Sequence, residues 1–186
     1  MVVRMAINAL CVVAHPDDCI IFAWPFIEKY KHFNWSILYL TYQEGDNFRA
    51  DEIKSFWNKR NILVEFLGNV DDYRDMESGI LSFDEGSSLL NIMNRCGQYD
   101  LILTHAQDGD YGHIHHKFVH NCVIASDKPA VFFANWQDKN LTCSRQEQLD
   151  LLEIPLHADV VRDFQNIENG NYLVTDRART LIDGTT

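Results

Sequence analysis

From Ile7 to Ala14 the chain is apolar apart from Asn8, short, and rich in β-branched residues, and it runs straight into His15-Pro16-Asp17-Asp18-Cys19. A segment of that length without polar alternation needs cover on both faces, which a strand finds inside a parallel sheet flanked by helices. The polar residues at its end then stand at the sheet's carboxyl edge, where ligands bind in open α/β sheets. Asp18 to Tyr30 reads as the crossover helix, with the acids at its positive end. Pro25 lacks an amide donor and should kink or split that helix. A neutral imidazole and a carboxylate projecting into one crevice suit a divalent transition metal, and a neighbouring carboxylate can take a proton from water. A plainer alternative stays open here: Asp17 or Asp18 caps the helix, and His15 is a loop histidine.

The remainder repeats the alternation of strand and helix. Trp35 to Thr41 is a second apolar run of strand length, followed by a polar loop from Tyr42 to Phe48. Ile53, Phe56 and Trp57 recur at helical spacing between Arg49 and Arg60, and Asn61 suits a left-handed terminator. Val64 to Gly68 predicts a short strand. Asn69 to Gly86 is acidic and turn-rich; it reads as an irregular excursion over the sheet's edge, with most of Asp71, Asp72, Asp75 and Glu77 solvated. Ser87 to Arg95 predicts a helix with Leu89, Leu90, Ile92 and Met93 inward, stopped by Gly97. Asp100 to Thr104 and Ala130 to Ala134 are strands, with a helix running through Ala125 between them. Beyond Gln137 the pattern weakens to a helix near Leu156 to Gln165 and a strand at Tyr172 to Thr175. The expected fold is α/β, a three-layer Rossmann-like domain with a mostly parallel sheet, and residues 1–186 are expected to form one domain.

Composition narrows the function. With 186 residues, 46% of them hydrophobic, the chain can bury one sizeable core. A formal net charge of -11 and the lack of a basic stripe argue against nucleic acid as a partner and leave a small molecule. The five cysteines, Cys11, Cys19, Cys96, Cys122 and Cys143, are odd in number and form no Cys-x-x-Cys pair, as expected of reduced thiols. Met1 to Cys19 lacks a signal-peptide core, and no stretch reaches the roughly eighteen apolar residues of a membrane span, so a cytoplasmic protein is expected.

A second polar loop follows the strand at Asp100 to Thr104: His105-Ala106-Gln107-Asp108-Gly109-Asp110-Tyr111-Gly112-His113-Ile114-His115-His116. Both loops leave buried strands and open helices, so in a doubly wound sheet they converge. His15, Asp18 and His116 then supply two imidazoles and a carboxylate, with a position left for water. On a helix His113, His116 and His120 share a face and His115 points elsewhere. His120 also suits a packed helical residue, and His105 a strand-end histidine bonded to a carbonyl.

Ala14-His15-Pro16-Asp17-Asp18 together with Tyr111-Gly112-His113-Ile114-His115-His116 resembles the LmbE / PIG-L family of zinc-dependent de-N-acetylases, which remove acetyl groups from N-acetylglucosamine-containing substrates. An Arg-x-x-Glu segment at Arg49 and Glu52 and a Phe-Leu-Gly-x-x-Asp segment from Phe66 to Asp71 extend the likeness over roughly the first two-thirds of the chain. The resemblance implies a Zn2+ site, with another divalent metal such as Fe2+ as alternative, held by His15, Asp18 and His116. It also implies Asp17 as general base, His113 as partner acid or oxyanion stabiliser, and Tyr111 as a group reaching the substrate carbonyl. Arg49 and Asp71 become candidate contacts to an amino-sugar substrate. Cys19 stands where the family has an acid, and Ile114-His115 where it has Pro-Asp, which removes an expected orienter of His113; a thiolate at Cys19 would shift metal preference. A non-catalytic carbohydrate- or nucleotide-sugar-binding module on the same fold is the alternative function, and an iron-dependent oxygenase using the same donors is a further one.

Overall fold

The computed structural model describes residues 6–42, 45, 48–134 and 172–185. In chain order these form β1 (Asn8–Val13), a π-helical turn (Cys19–Ala23) leading into α1 (Trp24–Lys29), β2 (Asn34–Thr41), α2 (Phe48–Asn58), β3 (Leu63–Asn69), α3 (Arg74–Ser78) and α4 (Glu85–Cys96). There follow β4 (Leu101–Thr104), α5 (Ile114–Ala125), β5 (Ala130–Phe133), β6 (Tyr172–Val174) and α6 (Asp176–Asp183). The sheet runs β3-β2-β1-β4-β5-β6, with every neighbouring pair parallel except β5 and β6. Strand order therefore reverses between β1 and β4, and a crevice opens at the carboxyl ends of those two strands.

β1 is central because both its faces are covered. Ala9, Cys11 and Val13 join one apolar cluster with the π-helical turn, α1, α2 and α6. Leu10, Val12 and Ala14 join the other, with residues of α4 and α5. Each large apolar side chain buried this way contributes about 1.5–3 kcal/mol, which anchors the strand end that carries His15. Pro25 sits in the first turn of α1, where no intrahelical bond is lost, and the π-helical turn before it splits the crossover helix as expected. Asn61 has φ 58°, the left-handed conformation expected after α2.

Two expectations need correction. The stretch from Asn69 to Gly86 is not a plain solvated loop: it contains α3, and Asp75 within it is only 3% exposed. On α4 the inward line is Ser88, Ile92 and Cys96, spaced by four residues; Ile92 and Leu89 pack into the core as expected, whereas Leu90, half a turn away from Ser88 and Ile92, is 61% exposed. The strand expected at Tyr172 to Thr175 is β6, whereas the helix expected near Leu156 and the Cys143 thiol lie outside the described residues. Among the described residues no helix is long and apolar enough to cross a membrane.

Candidate metal centre

The end of β1 is held by its neighbours. The Thr41 hydroxyl of β2 donates to the Ala14 carbonyl at 2.7 Å, and the Thr104 hydroxyl of β4 donates to the Val12 carbonyl at 2.8 Å. The chain then folds back, so that the Asp18 amide donates to the His15 carbonyl at 3.2 Å and the His15 amide to Asp18 Oδ2 at 2.7 Å. Asp18 occupies the start of the π-helical turn without capping it. Its carboxylate faces the crevice instead, against the plainer reading of that residue. On the second loop Gly109 has φ 75°, and a Cβ there would lie 2.6 Å from the His113 carbonyl oxygen, so only glycine lets the loop close onto the first turn of α5.

The two loops bring three donors together. His15 Nδ1 lies 3.2 Å from His116 Nε2, and Asp18 Oδ2 lies 3.3 Å from each of them. Ligands about 2.0 Å from a tetrahedral ion are separated by about 3.3 Å, so this near-equilateral triangle matches one face of a zinc-type site. Burial opposes charge on His15, but Asp18 and Asp71 outweigh it and raise its pKa to about 9. The site thus attracts positive charge, and the donor set fits a divalent cation. A looser trio, His15 Nε2, Asp71 Oδ1 and His115 Nδ1, has separations of 3.0, 3.4 and 3.8 Å.

Behind the triangle, each histidine's second nitrogen is engaged. His116 Nδ1 bonds to Asp110 Oδ2 at 2.8 Å, and the same oxygen takes His105 Nδ1 at 2.5 Å. His105 Nε2 accepts the Ala14 amide at 3.0 Å, so its lone pair is not offered to a metal, although it stacks 3.8 Å from the His116 ring. The sequence reading of His105 as bonded to a carbonyl is corrected: it ties the end of β1 to Asp110. His120 is the residue that bonds a carbonyl, that of His105, at 2.9 Å. His115 does not point elsewhere either; it is fully buried, with Nδ1 3.0 Å from His15 Nε2 and Nε2 2.9 Å from Asp75 Oδ2.

The front of the centre opens into a cleft of about 400 Å³ lined by His15, Asp17, Asp18, Arg49, Asp71, Tyr111 and His113, among others. Arg49 donates to Asp17 Oδ1 at 3.1 Å and to the Tyr42 hydroxyl at 3.0 Å, and that hydroxyl donates to Asp71 Oδ2 at 2.7 Å. Arg49 and Asp71 therefore line the cleft while bonded within its wall. The Tyr111 ring stands edge-on to His116 at 5.2 Å. His113 caps α5, accepting the His115 amide on Nδ1 at 3.2 Å. That backbone donor replaces the acid that the second loop lacks as its orienter. Burial first, and then His15, His116 and His115, push His113 down to about 3, so it is a neutral ring with its proton on Nε2. Cys19 turns away from the donors to bond with Trp57 Nε1 at 2.9 Å and with the Tyr39 hydroxyl, and burial pushes its thiol up; it supplies no thiolate to the site. Asp75, Asp110 and the contacts of His115 escaped sequence reasoning. An Asp in the loop six residues ahead of His116 is a usable signal for Asp110; none marks Asp75.

A family model described as PIG-L, GlcNAc-PI de-N-acetylase, matches residues 10–126, more than half of the chain. No curated protein matches the sequence. Among solved structures, the 4-carboxy-2-hydroxymuconate hydratase GalB of Pseudomonas putida superposes with a TM-score of 0.62 at 14% identity, covering 86% of this chain and 82% of its own. The pseudoaglycone deacetylase Dbv21 gives 0.57 at 11% identity, with 82% and 81% covered. A deacetylase of teicoplanin biosynthesis, in complex with teicoplanin, gives 0.52 at 12%, with 68% and 69% covered. At these identities the likeness establishes a shared fold.

Proposed function

The chain belongs to the PIG-L family of GlcNAc-PI de-N-acetylases, and from that premise we propose that it is a metal-dependent hydrolase removing the N-acetyl group from an N-acetylglucosamine-type amino sugar or its conjugate. The observation that carries this reading is the triangle of His15, Asp18 and His116 donors, 3.2–3.3 Å on a side, opening into the cleft that Asp17 lines.

In this reading His15, Asp18 and His116 hold Zn2+, with Fe2+ as the alternative. A divalent ion supplies Lewis acidity, drawing electron density from a carbonyl and making water more acidic. Asp17 takes the proton of the attacking water as the new C–O bond forms at the amide carbon. Arg49 keeps one Asp17 oxygen in place, so the carboxylate meets the water in a set orientation. Tyr111 reaches the substrate carbonyl, and neutral His113 donates through Nε2–H to the developing oxyanion. The C–N bond then breaks, Asp17 returns its proton to the departing amine, and acetate and a free amino sugar leave. Arg49 and Asp71 on the cleft wall present a cation and an anion to the sugar hydroxyls.

The test is acetate release from N-acetylglucosamine and its conjugates by zinc-loaded protein, with the amine product measured in parallel. Equimolar acetate and amine are expected. A protein carrying one zinc that releases neither across the panel would instead be a carbohydrate- or nucleotide-sugar-binding module.

A further inference from the structure

We propose that His115, braced by Asp75, is a positioning residue for His15, so that this chain sets one metal ligand through a histidine–histidine–carboxylate relay. The inference rests on the reading of His15 as a ligand.

Its geometry is continuous. With Nδ1 of His15 turned to Asp18 and His116, the neutral ring must carry its proton on Nε2, and the atom nearest to it is His115 Nδ1 at 3.0 Å. If Nδ1 of His115 accepts, its own proton sits on Nε2, 2.9 Å from Asp75 Oδ2. That oxygen also accepts the Ser82 amide at 3.0 Å and the Ser82 hydroxyl at 3.1 Å. Every donor along the path meets one acceptor, and the path ends on a carboxylate that α3 and the following turn hold in place. Asp71 Oδ1 is a poorer acceptor for His15, at 3.4 Å, because its carboxylate is drawn towards Tyr42.

Burial raises the stakes. His115 is fully buried, and the Phe83 ring stands edge-on to it at 5.6 Å, so no water replaces a lost partner cheaply. Without the His115 acceptor, only the longer contact to Asp71 would hold the proton of His15 on Nε2, and its share on Nδ1, where it blocks the lone pair aimed at the metal, would rise. Outer partners of this kind fix tautomer and ring orientation in metal-binding histidines. A carboxylate at position 115 would make the same bond to His15 but set a second negative charge against Asp75. The histidine is what allows Asp75 to terminate the relay.

The competing assignment is that His15 Nε2, Asp71 and His115 bind a second cation, and stoichiometry separates the two. Metal-stripped full-length protein is titrated with zinc against a chromophoric chelator, for the unsubstituted chain, Asp75→Asn, His115→Phe and His15→Ala. We expect one zinc per chain, bound about 10–100-fold more weakly by Asp75→Asn and His115→Phe and lost in His15→Ala. Independently of any substitution, 15N-histidine spectra of the zinc-loaded chain should show both His15 and His115 protonated on Nε2. Affinities within twofold of the parent in both relay variants, a proton on His115 Nδ1, or a second zinc that His115→Phe removes would each overturn the relay while leaving the metal centre intact. Failure of the parent to bind zinc, or full binding by His15→Ala, would overturn the metal centre and the relay with it.

Discussion

Asp17 and Asp18 are adjacent and chemically identical, yet the backbone turn gives them different neighbours. Asp18 is folded onto the His15 amide and packed against three imidazoles, whereas Asp17 faces the cleft with Arg49 on one oxygen. Burial opposes the charge on Asp18, but His116 and His15 hold its carboxyl well below the usual carboxylate range, as the proposed ligand role requires. Asp17→Asn should therefore keep its zinc, measured by metal analysis, while turnover falls by about a hundredfold or more. Parallel loss of metal and turnover would put Asp17 among the ligands instead.

At the scale of the element, α5 matters most, because His113 caps it, its first turn carries His115 and His116, and its start is set by the preceding loop. Gly109 lies at φ 75°, and a Cβ there would meet the His113 oxygen at 2.6 Å and Lys117 Cγ at 2.8 Å. Gly109→Ala cannot be absorbed by side-chain movement alone, since the nearest atom is backbone. Strain of this kind costs about 1–3 kcal/mol, and relief would shift the first turn of α5 away from β1. The expected result is reduced stability in denaturant melts together with weaker zinc binding. Zinc affinity equal to the parent's would mean that α5 holds His116 without help from this turn. The amphipathic line of α4 gives the contrasting case: its register is set by Ser88, Ile92 and Cys96, and Leu90 lies outside it.

At the scale of the whole molecule, the candidate metal donors come from loops about a hundred residues apart in sequence, brought together by the pairing of β1 with β4 and by the Ala14–His105 contact between the two strand ends. A cation held by both loops binds the folded chain and not the unfolded one, so it stabilises the fold. At free metal about a thousandfold above Kd the gain is about 4 kcal/mol. Adding a chelator to zinc-loaded protein should lower Tm by several degrees, and the same addition should leave the Tm of Asp18→Asn unchanged. A parent whose melting is indifferent to the chelator would show that the three donors do not hold a metal across the two loops.

The alternation of apolar strands with helical stretches determined the α/β class, since each pattern dictates which faces need cover. The unbroken apolar run before His15 determined which strand lies in the centre. The same runs placed His15, Asp17 and Asp18 at one strand end and the histidines of the second loop at another, so the convergence of His15, Asp18 and His116 was legible. Local patterns could not determine the surroundings of those residues. Asp75 reads as one acid in a polar stretch, and only the docking of α3 buries it beneath His115, forty residues away in sequence. His115, judged by helical spacing alone, points away from His113 and His116, because spacing describes one helix and not what packs against its side. The orientation of His113 by a backbone amide and the withdrawal of Cys19 towards Trp57 and Tyr39 belong to the same class. Which partner satisfies a buried polar group depends on what the rest of the chain brings within about 3 Å, and that is decided by tertiary packing.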